Sequence, residues 1–147
     1  MISFRTPILL SALLLAGAAA YAGGKEGHSH GHSHGSMRVV PEGAAAPTLA
    51  LAAAPDTMSG YNLHLMTENF TFSPAKTGTE TEAVEGHAHL YINDVKVGRV
   101  YSNWVHIPAD WLGADMNAVR VTLNDNMHND WAVGDKMVAA EIMLERT

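Results

Sequence analysis

Apolar and polar residues alternate with a period of two over much of the second half of the chain. Tyr61, Leu63 and Leu65 alternate with Asn62 and His64. Val119, Val121 and Leu123 alternate with Arg120 and Thr122, and Val138, Ala140, Ile142 and Leu144 with Ala139, Glu141 and Met143. Successive side chains of a strand point to opposite faces, so this spacing predicts strands with one buried face. Ala88 to Ile92 and Val95 to Tyr101 flank Asn93-Asp94, a pair suited to a two-residue hairpin turn. Phe70 to Phe72 and Trp104 to Ile107 predict two shorter strands, and Gly134-Asp135-Lys136 a hairpin turn. Pro108 to Leu112 predicts one helical turn opened by proline. About six or seven short strands with few helical signals predict an all-β fold. The expected architecture is an antiparallel β-sandwich, immunoglobulin-like or cupredoxin-like.

The first half reads differently. Arg5 precedes an apolar stretch from Pro7 to Ala20, and Ala20-Tyr21-Ala22 fits a small-x-small cleavage rule. The stretch is about 14 residues, short of the ~20 that a spanning helix needs, so residues 1–22 are expected to be a secretory signal peptide. The expected location is therefore periplasmic or secreted, without membrane insertion after cleavage. Residues 23–57 carry a His-Ser-Gly run and then an Ala- and Pro-rich stretch with Pro41, Pro47 and Pro55. They are expected to be a flexible linker, with a short helix around Leu49–Ala53 as its one structured option. The sandwich domain is expected over residues 58–147.

Composition narrows the partners. Fifteen acidic residues against nine basic ones give a net charge of −6, which argues against nucleic acid or an anionic membrane surface. There is no cysteine, so no disulfide and no lipid-bearing cysteine is available, and the fold rests on packing or on packing plus a metal.

Nine histidines then stand out. His28, His30, His32 and His34 alternate with Ser29, Gly31 and Ser33, spacers small enough for several imidazoles to reach one ion. Such a tract binds divalent copper, zinc or nickel without a shaped cavity, and Met37 close behind offers a thioether suited to Cu(I). The other five are His64, His87, His89, His106 and His128. His87-Ala88-His89 is the sharpest motif. On a strand, residues two apart share a face about 7 Å apart, close enough to converge on one ion, while Ala88 and Leu90 turn to the core; a strand that begins only at Ala88 instead leaves His87 on a loop. His64, His106 and His128 are candidate further ligands, and Met66 and Met127 are possible soft ligands that would favour copper. Each domain histidine also has a structural reading: His64 and His106 as core side chains, and His128 as part of a polar loop braced by Asn124 and Asn126. Trp104, Trp111 and Trp131 are expected to pack in the core or at its rim, with Trp131 a possible pocket wall. Blue-copper electron transfer needs a cysteine thiolate and is excluded.

Four segments together, MSGYNLHLMTENFTFSP, EGHAHLYIND, Arg99-Val100-Tyr101 with Trp104-x-His106, and LNDNMHNDWAV, resemble a group of small exported bacterial proteins of largely unassigned role. The resemblance implies a compact β-sandwich, similar in outline to periplasmic copper-handling domains. Its matching positions are His64, His87, His89, His106, Asn124, Asn126 and His128. Asp125 and Met127 stand where residues such as Ala and Asp are expected, so the resemblance assigns no role to Met127.

No nucleophile elbow, phosphate-binding glycine loop or His-Glu-x-x-His is present, so catalysis is not expected. The leading expectation is a copper- or zinc-binding protein of metal storage, delivery or tolerance, whose partners are the ion and, for delivery, a metal-transport or envelope protein. The second is a β-sandwich interaction module with structural histidines. An accessory enzyme with a histidine-ligated copper centre is a distant third.

Overall fold

A computed structural model describes residues 36–146, all within one unit, Ser33–Thr147. Their strands are β1 (Met37–Val39), β2 (Thr48–Pro55), β3 (Tyr61–Glu68), β4 (Thr71–Phe72), β5 (Glu85–Ile92), β6 (Val95–Val100), β7 (Trp104–Ile107), β8 (Asn117–Asn124), β9 (Asp130–Val133), β10 (Lys136–Met137) and β11 (Ala139–Leu144). Two short 3-10 turns, Pro74–Lys76 and Ala109–Trp111, are the helical elements among the described residues. The second lies in the segment expected to turn once, with Pro108 capping it rather than opening it.

Two sheets face each other. In one, β3 pairs with β2 and β7; in the other, the central run is β11–β8–β5–β6, and every one of these pairings is antiparallel. Three strands against four, with the chain crossing from β3 to β5 and from β6 to β7, is an immunoglobulin-like sandwich. Side strands extend the larger sheet: β9 joins the end of β8, β10 pairs with β9, and two parallel pairings add β1 to β9 and β4 to β5.

The alternating residues form the core as expected. Leu63 and Leu65 on β3, Ala88, Leu90 and Ile92 on β5, and Val119, Val121 and Leu123 on β8 all belong to one buried cluster, with Ile107 and Val100 beside them. The expected hairpin closes at Asn93 and Asp94, both at positive φ (49° and 64°), as a turn matched to strand twist demands.

The linker assignment is corrected for residues 36–57. Thr48–Pro55 is a full edge strand paired along its length with β3, not a helix or a flexible spacer, and Met37–Val39 is a strand against β9. Leu49, Leu51 and Ala53 turn partly inward, but Ala50, Ala52 and Ala54 between them are apolar too. The alternation is real and carries no contrast, so a hydropathy pattern cannot reveal it. Pro55 ends the strand at the sheet edge, where its missing N–H costs no ladder bond. The expected signal peptide, the first part of the expected linker and the tail histidines His28, His30, His32 and His34 lie outside the described residues.

Candidate metal centre

His87 and His89 stand on the face of β5 opposite Ala88 and Leu90, so the core pattern that fixes the strand also fixes the imidazoles side by side. His128 reaches them from the loop between β8 and β9. Their ring nitrogens form a closed triangle: His87 Nε2 to His89 Nε2 is 3.0 Å, His87 Nε2 to His128 Nδ1 is 3.0 Å, and His89 Nε2 to His128 Nδ1 is 3.3 Å. Among the described residues, this is the group of ligand-type side chains whose donor atoms gather within 4.8 Å and could hold a metal ion.

The triangle is poorly served by hydrogen bonds alone. A neutral imidazole nitrogen either carries a proton or a lone pair. Of three nitrogens in mutual contact, two must be in the same state, and that pair cannot hydrogen-bond. A cation resolves the conflict, because all three can then point lone pairs at it. With metal–nitrogen bonds of ~2.0–2.1 Å, tetrahedral angles separate nitrogens by ~3.3 Å. The observed 3.0 to 3.3 Å edges are close to that, with one coordination position left open.

The imidazoles are held neutral. Burial pushes His87 down to about 4, helped by His128, Arg99 and Lys96, and pushes His89 down to about 3, helped first by Lys96. His128 is also lowered, by burial and then by Arg99 and Lys96. At neutral pH, protons therefore do not compete for the facing lone pairs. His87 Nδ1 is buried without a hydrogen-bond partner.

This sets the acid response of the metal-free protein. Unfolded histidines protonate near 6.5, whereas the folded His87 and His89 refuse the proton until about 4 and about 3. Their neutral burial is fully tolerated above pH 6.5, and stability falls as pH drops from there through the folded values. For His87 alone the loss is on the order of 3 kcal/mol. Urea midpoints taken from pH 7.5 to 5 are expected to fall more for the wild type than for a His87→Asn/His89→Asn variant. Parallel curves contradict the assignment.

A cage of hydrogen bonds presents His128. Asp125 Oδ1 accepts from the Met127 and Asn129 backbone N–H groups (2.9 and 2.8 Å), and Oδ2 accepts from the Asn129 amide (2.9 Å) and Arg38 (3.2 Å). Burial opposes ionisation of Asp125, but these donors outweigh it and hold its carboxyl below the usual value. Asn129 O and Asp125 N–H close the loop at 2.9 Å, and His128 takes φ of 70° at its tip, a conformation that histidine tolerates better than most residues. Asn124 donates to Asp130 (2.7 Å), and Asn126 is bonded to Ser73 on one side and to Gly78 N–H on the other. Arg38, on β1, also donates to the Thr81 carbonyl and lies over the buried Trp131 ring, 4.7 Å from its centroid. Arg38 is the residue that a pattern reading misses, because the composition of residues 23–57 predicts linker there. The clustered Asn and Asp of 124–130 were the available signal for a braced loop.

The other candidates lie elsewhere. His64 and His106 are on the three-stranded sheet and do not join the trio, so the five domain histidines do not converge. They are not core residues either. His64 stacks flat on Trp104, at 4.2 Å and 1°, and exposed His106 meets Asn62 at 3.3 Å. Met66 shares the outer face of β3 with His64, and Met127 stands exposed beside His128. Trp131 is fully buried, with its indole N–H on the Glu85 carbonyl (3.2 Å), whereas Trp104 and Trp111 are exposed rather than core.

No family model, curated protein or solved structure matches this chain. The reading of the site therefore stands on its geometry.

Proposed function

We propose that this is a metal-binding protein that holds one copper or zinc ion at His87, His89 and His128, for storage, delivery or tolerance in a periplasmic or secreted setting. The observation that carries the reading is the triangle of three neutral imidazole nitrogens at 3.0, 3.0 and 3.3 Å. Imidazole ligation suits both metals, and copper ranks first because affinity rises to Cu(II) along the metal series. The signal-like residues 1–22 support the setting. In this reading the tail histidines act as a second, unselective store.

The test separates tail from centre. In the full chain, His28, His30, His32 and His34 are replaced together by serine, and the protein is titrated with Cu(II), Cu(I) and Zn(II) by calorimetry. One ion per chain with sub-micromolar affinity is expected for copper or zinc. Binding no tighter than millimolar for every ion sinks the reading. The alternative is then favoured, a sandwich that works as an interaction module, for which the exposed Trp104 stacked on His64 is the supporting feature.

A further inference from the structure

The surroundings of the trio carry the wrong sign for a site that binds a bare cation. Arg99 on β6 is directly across from His89, and Lys96 across from Tyr91, the next residue on the same face of β5. Both are exposed on the edge strand that borders the imidazoles. Their charges reach all three histidines. Arg99 also donates to the Tyr101 hydroxyl at 3.4 Å, and the Tyr101 ring lies 5.5 Å from that of His87.

Neither cation makes a salt bridge among the described residues, although Asp130 is near enough to act on the charge of Lys96. Among the described residues, the ion pairs are Arg38 with Asp125, Lys76 with Glu85, His106 with Asp56, Arg120 with Asp94 and Arg146 with Asp110. The two carboxylates nearby keep their charge but are turned to other partners, Asp125 to its loop and Arg38, and Asp130 to Asn124. Asp125 offsets Arg99 and Lys96 at His87 and His128 only in part. In a chain of net charge −6 with nine basic residues, two unpaired ones flank the candidate cation site. Like charges of this kind weaken metal binding, unless a negative ligand arrives with the metal.

Three histidines also leave a four-coordinate ion one ligand short. We infer that the open position takes a carboxylate-class anion, held between the metal and the side chains of Arg99 and Lys96, with the Tyr101 hydroxyl beside them. The inference rests on the metal-binding reading above. An arginine fork and a lysine ammonium suit carboxylate oxygens, and the anion cancels the repulsion that its absence leaves. The site then favours a metal that comes with a carboxylate ligand over the hydrated ion.

The experiment uses the full chain with the four tail histidines replaced by serine, loaded with Cu(II), and compares it with the same chain carrying Lys96→Gln and Arg99→Gln. Both positions are exposed, so the fold is expected to persist. Acetate is titrated while the electron paramagnetic resonance spectrum of the copper is followed. Acetate is expected to change the copper spectrum of the parent and to bind the double variant about tenfold more weakly. In perchlorate, without carboxylate, the double variant is expected to bind Cu(II) more tightly than the parent, the opposite direction, which a purely structural role cannot produce. Equal acetate affinities with copper binding intact overturn the inference and leave the metal site standing. Failure of the parent to bind copper overturns both. A glutamate-containing peptide in place of acetate identifies the source: binding at least tenfold tighter than acetate points to an acidic partner segment, and equal binding to a small free carboxylate, each in support of the inference.

Discussion

His128→Ala is expected to lower metal affinity by roughly a hundredfold or more, and His87→Ala and His89→Ala to do the same, whereas His64→Ala and His106→Ala leave it unchanged. Zinc sites built from four side chains bind with ~10–16 kcal/mol in total, so one ligand carries on the order of 3 kcal/mol, which is about two powers of ten. The contrast follows from position. Three histidines have nitrogens within 3.3 Å of one another, while His64 and His106 belong to the other sheet. His128→Ala is the most telling of the three, because it removes the loop ligand and leaves the β5 pair in place. Its effect on folding is expected to stay near the ~1–2 kcal/mol that alanine costs at φ of 70°, since the loop is closed by Asp125 rather than by the imidazole. Calorimetric titration of the chain with the tail histidines replaced by serine reads the affinities, and thermal melts of the metal-free variants read the folding effect. Equal losses across all five substitutions would falsify the assignment of the centre.

Gly86→Ala is expected to destabilise the protein by ~3 kcal/mol or more and to weaken the metal site with it. Gly86 has φ of 149°, a backbone region closed to ordinary side chains. A Cβ there would meet the carbonyl oxygen of Asn124 well inside contact distance and press on the Asp125 backbone. Both neighbours are main chain, so neither can swing aside. The strand that carries His87 and His89 would have to part from the start of the loop that carries His128. For a domain of this size, such a loss lowers Tm by on the order of 15 °C. Gly98→Ala, in the β6 partner of the same hairpin, is the control: no atom lies within 4 Å of its would-be Cβ. Thermal melts of the two variants check the claim, and a Gly86→Ala protein that melts with the wild type refutes it.

Much of the strand pattern was readable in advance, because burial leaves a direct mark on strands with one wet face. Tyr61, Leu63 and Leu65 show it, as do Val119, Val121 and Leu123, and Asn93-Asp94 advertised its turn through residues that accept positive φ. Thr48–Pro55 escaped for a physical reason. Alanine is small enough to be tolerated on an exposed strand face, so a strand can alternate inside and outside without alternating in hydropathy. Arg38 escaped with it, since the worth of that side chain depends on Asp125, Thr81 and Trp131, which come near it only in the folded chain.

The histidines divide along the same line. Sequence by itself determined that His87 and His89 share a face if one strand carries both, and that Cys-dependent chemistry is absent. That the strand begins at Glu85 and so includes His87, ahead of the Ala88 start that the pattern predicts, was decided by the fold. It could not choose the third ligand among His64, His106 and His128. That was decided by which sheet each joins and by the Asp125 cage that turns His128 inward, long-range contacts that no local spacing encodes. The neutrality of the trio and the unpaired charges of Lys96 and Arg99 beside it were likewise tertiary decisions, because burial and cross-strand register exist only after the two sheets have met.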